Sequence, residues 1–404
     1  MFYPSLKFNG TARPIKAVLL TVGLILCACS MAEPPLAAAP NAQNEPVSKS
    51  DAAGHSELFG MIEIGSKGVK GIVIDLANAD QDAGCQQSEE AFSECLHKSV
   101  RKQFEPFNVN SVDEGSIPDA AKAAKNLLDE MTGKYSVDVS RIYLVASSGI
   151  SNRNLVPHRD RLQAAVEEAL EQHVKMDFIT SAQEGEFGFQ GVLNLMPEKL
   201  RTLSKNQAVL LDIGSGDSKG GYLDERLAFI PYSVPWGTKS FTNEVNKTRG
   251  DENFVDVATK LRNSILRPAV HEEMDKKPGI LTHNRVYLIG GIFWAVATLT
   301  QPENKQPFTE IRPEHFGALY DLVVVPESMT ALCKDNKMQE VNPDLNKVCH
   351  TFDTNNLVAG LDILKTFAEE MRFSEKDVFF IRNSLYAWPF GYLKTRCKLE
   401  NKCG

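Results

Sequence analysis

Along the chain, apolar positions recur with two periods, one suited to strands and one to helices. Two runs rich in β-branched residues, Phe59 to Ser66 and Val69 to Leu76, read as strands joined by Lys67-Gly68, a hairpin signal. After a polar insertion, Ala120, Ala124, Leu127, Leu128 and Met131 fall on one face of a predicted helix. A strand from Arg141 to Ala146 follows, then a helix with Leu162, Val166, Ala169 and Leu170 inward. Next come a strand from Met176 to Thr180 and a helix from Ala182 to Met196. A second strand and turn begin at Ala208, and Ile62-Glu63-Ile64-Gly65-Ser66 returns there as Leu211-Asp212-Ile213-Gly214-Ser215, a weak internal repeat. An amphipathic segment (Phe254 to Val270), a strand (Val286 to Ile289) closing on Gly290-Gly291, a helix to about Leu299 and a helix from Asn356 to Met371 complete the pattern. Strands alternating with helices in two related halves predict an α/β fold.

The first residues follow a different logic. Lys7, Arg13 and Lys16 precede the apolar run Ala17 to Leu26 with no acidic residue among them, a signal-peptide pattern too short to span a bilayer comfortably. The run ends Leu26-Cys27-Ala28-Cys29, which resembles a bacterial lipobox and makes Cys29 the expected lipidated first residue after removal of 1–28. Residues 29–56, rich in Pro, Ala, Asn and Ser, read as a flexible tether. Ser30 and Met31, with no aspartate after Cys29, point to an outer-membrane lipoprotein facing the periplasm. The expected organisation is then an N-terminal lobe (57–205), a C-terminal lobe (206–393) and a tail (394–404).

Length and charge narrow the choices further. A chain of 404 residues accommodates two or three domains with full cores. With 44 basic against 52 acidic residues, a net charge of −8 and no basic block, non-specific nucleic-acid binding is not expected. Beyond Cys27 and Cys29, the six cysteines Cys85, Cys95, Cys333, Cys349, Cys397 and Cys403 suit an oxidising compartment, and proximity favours Cys85-Cys95, Cys333-Cys349 and Cys397-Cys403 among 15 connectivities. No C-x-x-C or H-E-x-x-H spacing occurs, so a zinc site is not expected.

Small residues after a strand let backbone N–H groups converge on one spot, which suits phosphate oxygens. Two such loops, Gly65-Ser66 and Gly214-Ser215, each preceded by an acidic residue, could clamp a phosphate chain between them.

Several segments in order carry a resemblance. Ile62-Glu-Ile-Gly-Ser-Lys67 is similar to the I-D-x-G-S-N loop of the exopolyphosphatase/guanosine pentaphosphatase family, and Val145 to Arg153 to its A-T-S-A-x-R strand end. Ile179-Thr-Ser-Ala-Gln-Glu-Gly-Glu-Phe-Gly-Phe189 resembles that family's I-S-G-x-E-E-A and the apyrase E-E-G-x-Y-G-W; Leu211 to Ser218 resembles D-I-G-G-G-S-T. Leu357 to Leu364, then Val378 to Leu385, are similar to the family's P-G-A-x-I-L helix and the strand that follows it. The resemblance implies a two-lobed, duplicated actin-like ATPase (ribonuclease H-like) fold with the active site in the interlobe cleft. It also implies Mg2+ or another divalent metal, and hydrolysis of a terminal phosphoanhydride of polyphosphate or a nucleotide. By that resemblance Glu184 is the catalytic base and Asp212 a second catalytic residue, with Glu63 and Asp212 around the metal. Phosphates would be bound by Gly65, Ser66, Lys67, Ser147, Ser148, Gly149, Arg153, Gly214, Ser215, Gly216, Asp217, Ser218 and Lys219. The membrane, through the lipid anchor, is a further expected partner, and a homodimer is a candidate assembly.

Three positions depart from the family pattern. Glu63 stands where aspartate is expected, Ser151 where a phosphate-binding arginine is expected, and Lys219 where exopolyphosphatases have glutamate and apyrases glutamine. A charged lysine attracts phosphate but cannot ligate Mg2+. The sequence therefore admits two readings: an exported phosphoanhydride hydrolase, or a catalytically impaired relative that binds a phosphorylated ligand or an envelope protein.

Overall fold

The computed structural model describes residues 58–66, 68–76, 100–107, 112, 114–151, 156–334, 336–342 and 344–403. The expected signal peptide, tether and lipidated Cys29, the Cys85-Cys95 pair, Lys67 and Arg153 lie outside these residues.

Two sheets repeat one plan. In the first, β1 (Leu58–Gly65), β2 (Gly68–Asp75) and β3 (Val100–Phe107) form an antiparallel meander, and β1 continues into the parallel strands β4 (Ile142–Ala146) and β5 (Met176–Phe178). In the second, β6 (Ala208–Ile213), β7 (Ser218–Leu223) and β8 (Phe229–Val234) form the meander, and β6 continues into parallel β9 (Arg285–Ile289) and β11 (Asp377–Ile381), with β10 (Phe308–Glu310) at the edge. The hairpin registers coincide as well. Glu63 faces Lys70 across β1 and β2, and Asp212 faces Lys219 across β6 and β7.

Three apolar cores hold these layers. The outer face of the first sheet buries Ile62, Ile64 and Leu144 under α1 (Ile117–Gly133) and α2 (Val156–Ala169). The predicted α1 stripe is buried throughout: Ala120, Ala124, Leu127, Leu128 and Met131 all face this core. The outer face of the second sheet packs on α4 (Thr354–Glu370), started by the Asp353 carboxylate, which accepts from the Asn356 N–H at 2.8 Å. Between the sheets, a third core joins Phe59, Met61 and Val145 to Leu210, Tyr287 and Ile289. It is filled by α3 (Ser181–Leu195) and by the last helix, α5 (Ala387–Leu399), which supplies Trp388, Phe390, Tyr392 and Leu393. Tyr392 donates to Asp177 at 3.0 Å, and Tyr143 to Glu400 at 2.9 Å, so the C-terminal helix is fastened to the first sheet.

Some elements differ from the pattern reading. The polar insertion contains β3, whose Val100–Phe107 sequence is too polar to signal a strand but suits a sheet edge. The amphipathic run from Phe254 is not one regular helix. Arg262–Leu266 is π-helical, between Phe254–Leu261 and a helix beginning at Arg267-Pro268, where proline has no N–H to extend the regular ladder. The last strand stops at Ile381, because Asn383 turns the chain with φ of 60°. Short helices occupy much of 313–351 and are tied by the Cys333–Cys349 disulfide, while Cys397–Cys403 closes the C-terminal end.

Candidate functional site

The cleft forms where β1, β4, β6 and β9 all end, so four loops reach it from two lobes. Ser66 follows β1, and its hydroxyl lies 2.6 Å from that of Ser215, which follows β6. Beside them the chain is stripped to backbone: a Cβ on Gly216 would stand 2.7 Å from the Gly149 Cα of the other lobe. At the end of β9, Gly290 has φ of 108°, and a Cβ there would meet the Ile213 carbonyl at 2.6 Å and Asp212 Oδ1 at 2.8 Å. The second loop is closed by Gly214 N–H on the Asp217 carbonyl at 3.0 Å and held from below by Thr238 N–H on the Gly214 carbonyl at 2.9 Å.

Glu184 enters from the first turn of α3. That helix starts with a capping box in which the Thr180 hydroxyl accepts from Gln183 N–H and the Gln183 side chain accepts from Thr180 N–H. The Glu184 side chain is buried, and its Oε2 accepts from the Ser148 N–H at 2.8 Å, which ties α3 to the loop after β4.

Lys219 completes this floor from β7. Only 3% exposed, it places Nζ 2.9 Å from Glu184 Oε1, 3.1 Å from Asp217 Oδ1 and 3.6 Å from Asp212 Oδ2. Asp217 also accepts from Ser181 Oγ at 2.5 Å and from Ser148 Oγ at 3.1 Å. Burial opposes the charge on Lys219, yet Asp217, Glu184 and Asp212 outweigh it and hold its pKa well above the ordinary lysine range. Burial likewise opposes the Asp217 carboxylate, but Lys219 and the two serine hydroxyls bring its pKa below the usual value. For Asp212 burial prevails. Against the pull of Lys219, and helped by Glu184 and Asp217, it pushes the carboxyl up to about 7.

The structure thus brings Ser66, Ser148, Gly149, Glu184, Asp212, Ser215, Gly216, Asp217 and Lys219 to one place. Several of their expected roles are redirected inward. The Ser148 N–H, a candidate phosphate donor, serves Glu184; Asp217 and Lys219 serve each other. Ser218 donates to the Trp236 carbonyl at 2.7 Å, and Ser147 donates its N–H to the Ile64 carbonyl at 3.0 Å, so both shape loops. At the position of the expected arginine, Ser151 donates to the Ala146 and Ser147 carbonyls, each at 3.3 Å. Trp236 packs edge-on against Phe241.

Three participants escaped the sequence reading. Ser181 holds Asp217, and Lys239 reaches the Ser66 carbonyl at 3.1 Å, bridging the lobes. Lys70 sits 3.3 Å from Glu63. The signal for Lys70 was present, since it stands 149 positions before Lys219, the same separation as Ser66 from Ser215. A pocket of about 340 Å3 opens beside the cluster, lined by Thr180, Ser181, Ala182, Asp217, Ser233 and neighbouring residues.

The implied divalent metal can be tested against this arrangement. Its expected ligands, Glu63 and Asp212, each face a lysine of the chain's own, at 3.3 and 3.6 Å. Among the described residues no group of three or more His, Cys, Asp or Glu side chains is placed to hold a metal ion. The residues present therefore do not fit a divalent cation in this arrangement.

No protein-family model and no curated protein matches the sequence. Solved structures do match. An exopolyphosphatase from Cytophaga hutchinsonii has a TM-score of 0.57 at 12% identity, covering 85% of this chain and 98% of its own. The type II variant of the Aquifex aeolicus Ppx/GppA phosphatase has a TM-score of 0.51 at 14% identity, covering 84% and 98%. An exopolyphosphatase-like protein reaches 0.53 at 10%, covering 85% and 99%. The architecture is the two-lobed, duplicated actin-like fold of these phosphatases. It extends over almost their full length.

Proposed function

We propose that the protein binds the end of a phosphate chain, polyphosphate or a nucleoside polyphosphate, between its two Gly-Ser loops and hydrolyses the terminal phosphoanhydride. The observation that carries this reading is the convergence of the Ser66 and Ser215 loops beside the buried carboxylate of Glu184. Each carboxylate oxygen has two acceptor sites, so Glu184 can take a hydrogen bond from water besides those it receives from Ser148 and Lys219. In the reaction, the water oxygen bonds to the terminal phosphorus as its bond to the bridging oxygen breaks. The electron pair leaves with the shortened chain, and a water proton passes to Glu184. The lipobox-like leader supports a lipid-anchored protein at the periplasmic face of the outer membrane, where scavenged nucleotides or polyphosphate are the fitting substrates.

Phosphate release by the full-length protein from polyphosphate, ATP, ADP and pyrophosphate tests this, with Glu184→Gln beside it. Release that disappears in the variant is the expected result. The 2.9 Å contact between Lys219 and Glu184 favours a second reading, a cleft that binds without turnover, because both Glu184 oxygens already accept from the chain's own groups, Oε1 from Lys219 and Oε2 from the Ser148 N–H. That reading predicts no release, with the same ligands raising Tm equally in both proteins.

A further inference from the structure

We infer that Lys219, seconded by Lys70, is a built-in cation that takes the place of a divalent metal in this cleft. Lys219 Nζ lies within 3.6 Å of three carboxylates that approach it from a strand end, a turn and a helix. Its side chain is nearly as inaccessible as the apolar core, so the charge it neutralises is the charge of these groups and not of solvent. The same device occurs in the other lobe. Lys70 occupies the equivalent register position on β2, opposite Glu63, with Nζ 3.3 Å from the carboxylate. An antiparallel strand pair sets directly opposed side chains side by side, so each lysine is delivered to its acid by register alone. Both acids that a metal would need are therefore supplied with positive charge by the hairpin that carries them.

The consequence is a phosphate-sized cleft that requires no divalent ion, whether it turns its ligand over or only binds it. It also follows that the carboxylates around Lys219 form a latent cation site, exposed only when the ammonium is removed. With Lys219 in place these carboxylates are not set to hold a metal ion, so the latent site forms only if the oxygens close to roughly 2.0 to 2.6 Å around an ion once the ammonium is gone.

The test is Mn2+ binding to the full-length protein, counted by electron paramagnetic resonance, with the dependence of Tm on Mg2+ and Mn2+ measured alongside. Wild type should bind no Mn2+ at the cluster and show no metal-dependent Tm. Lys219→Gln should acquire one Mn2+ per chain and a Tm raised by a few degrees, both lost when Asp212→Asn is added. Lys219→Arg, which keeps the positive charge, should remain insensitive to metal. Should Lys219→Gln fail to fold alone, refolding in Mg2+ or Mn2+ should restore it. The inference is overturned if wild type binds Mn2+ in a manner abolished by Asp212→Asn. It is equally overturned if Lys219→Gln, folded or unfolded, neither binds nor responds to either metal.

Discussion

The hydroxyls of Ser66 and Ser215 lie 2.6 Å apart, although they stand 149 positions apart in the chain and follow strands of different sheets. They are equivalent members of the repeat, so the two halves meet at corresponding points across a pseudo-twofold relation. A hydrogen bond of this kind contributes about 1 kcal/mol net. Ser66→Ala and Ser215→Ala should each destabilise by that order, and the double variant by less than the sum. Urea unfolding of the four proteins in the cycle measures the coupling.

Gly216 packs directly against Gly149 of the other lobe. Gly216→Ala would drive its Cβ to 2.7 Å from the Gly149 Cα, a backbone atom that cannot rotate away. The loops must separate, with an expected loss of about 1–3 kcal/mol in stability. Affinity for polyphosphate should fall by roughly tenfold or more, since a shift equivalent to 1.4 kcal/mol suffices. Calorimetric titration would show this, and unchanged affinity would mean that the loops do not jointly grip the ligand.

Removing the Lys219 charge leaves buried carboxylates without their cation. Lys219→Met should therefore destabilise the protein by about 3–5 kcal/mol at neutral pH in metal-free buffer. Adding Asp217→Asn should return part of that loss, because one buried negative charge is deleted. Guanidinium unfolding curves for both variants provide the check.

Asp362, within α4, gives a pH signature away from the cleft. It is 2% exposed, its Oδ2 has no hydrogen-bond partner among the described residues, and burial, opposed by Arg262 and Lys365, pushes its carboxyl up to about 6. The native state therefore keeps a proton that the unfolded chain releases near its ordinary value of 3.8. This group's contribution falls as pH rises from about 4 to about 6, by an amount on the order of 2–3 kcal/mol. Asp362→Asn should flatten that part of the stability curve and raise Tm at pH 8. Equal slopes in the two proteins would remove Asp362 as the cause.

Much of the architecture was legible because its signals are local. The hairpin at Phe59 to Leu76, the α1 stripe and the helix carrying Glu184 depend on period and on caps. What the pattern could not supply was the partnership of side chains distant in sequence. Lys219 read as a phosphate-attracting residue because its charge is plain in the sequence and its carboxylate partners are not; only packing of α3 against β7 turns it toward Glu184 and Asp217. Lys70 and Ser181 look unremarkable until register and helix placement set each beside a carboxylate. β3 was missed for a related reason, since an edge strand need not carry an apolar face as strong as those of its neighbours.

The placement of α5 bears on when the protein can fold. The layer between the two sheets receives Trp388, Phe390, Tyr392 and Leu393 from the last helix of the chain. During synthesis the first sheet is therefore made early but lacks one wall until translation is almost complete. Its inner surface stays open longest, so the amino-terminal half must wait for the carboxyl terminus. A ribosome-bound chain lacking residues 387–404 should expose the 58–178 segment to protease, and release of the finished chain should bring protection to both halves together.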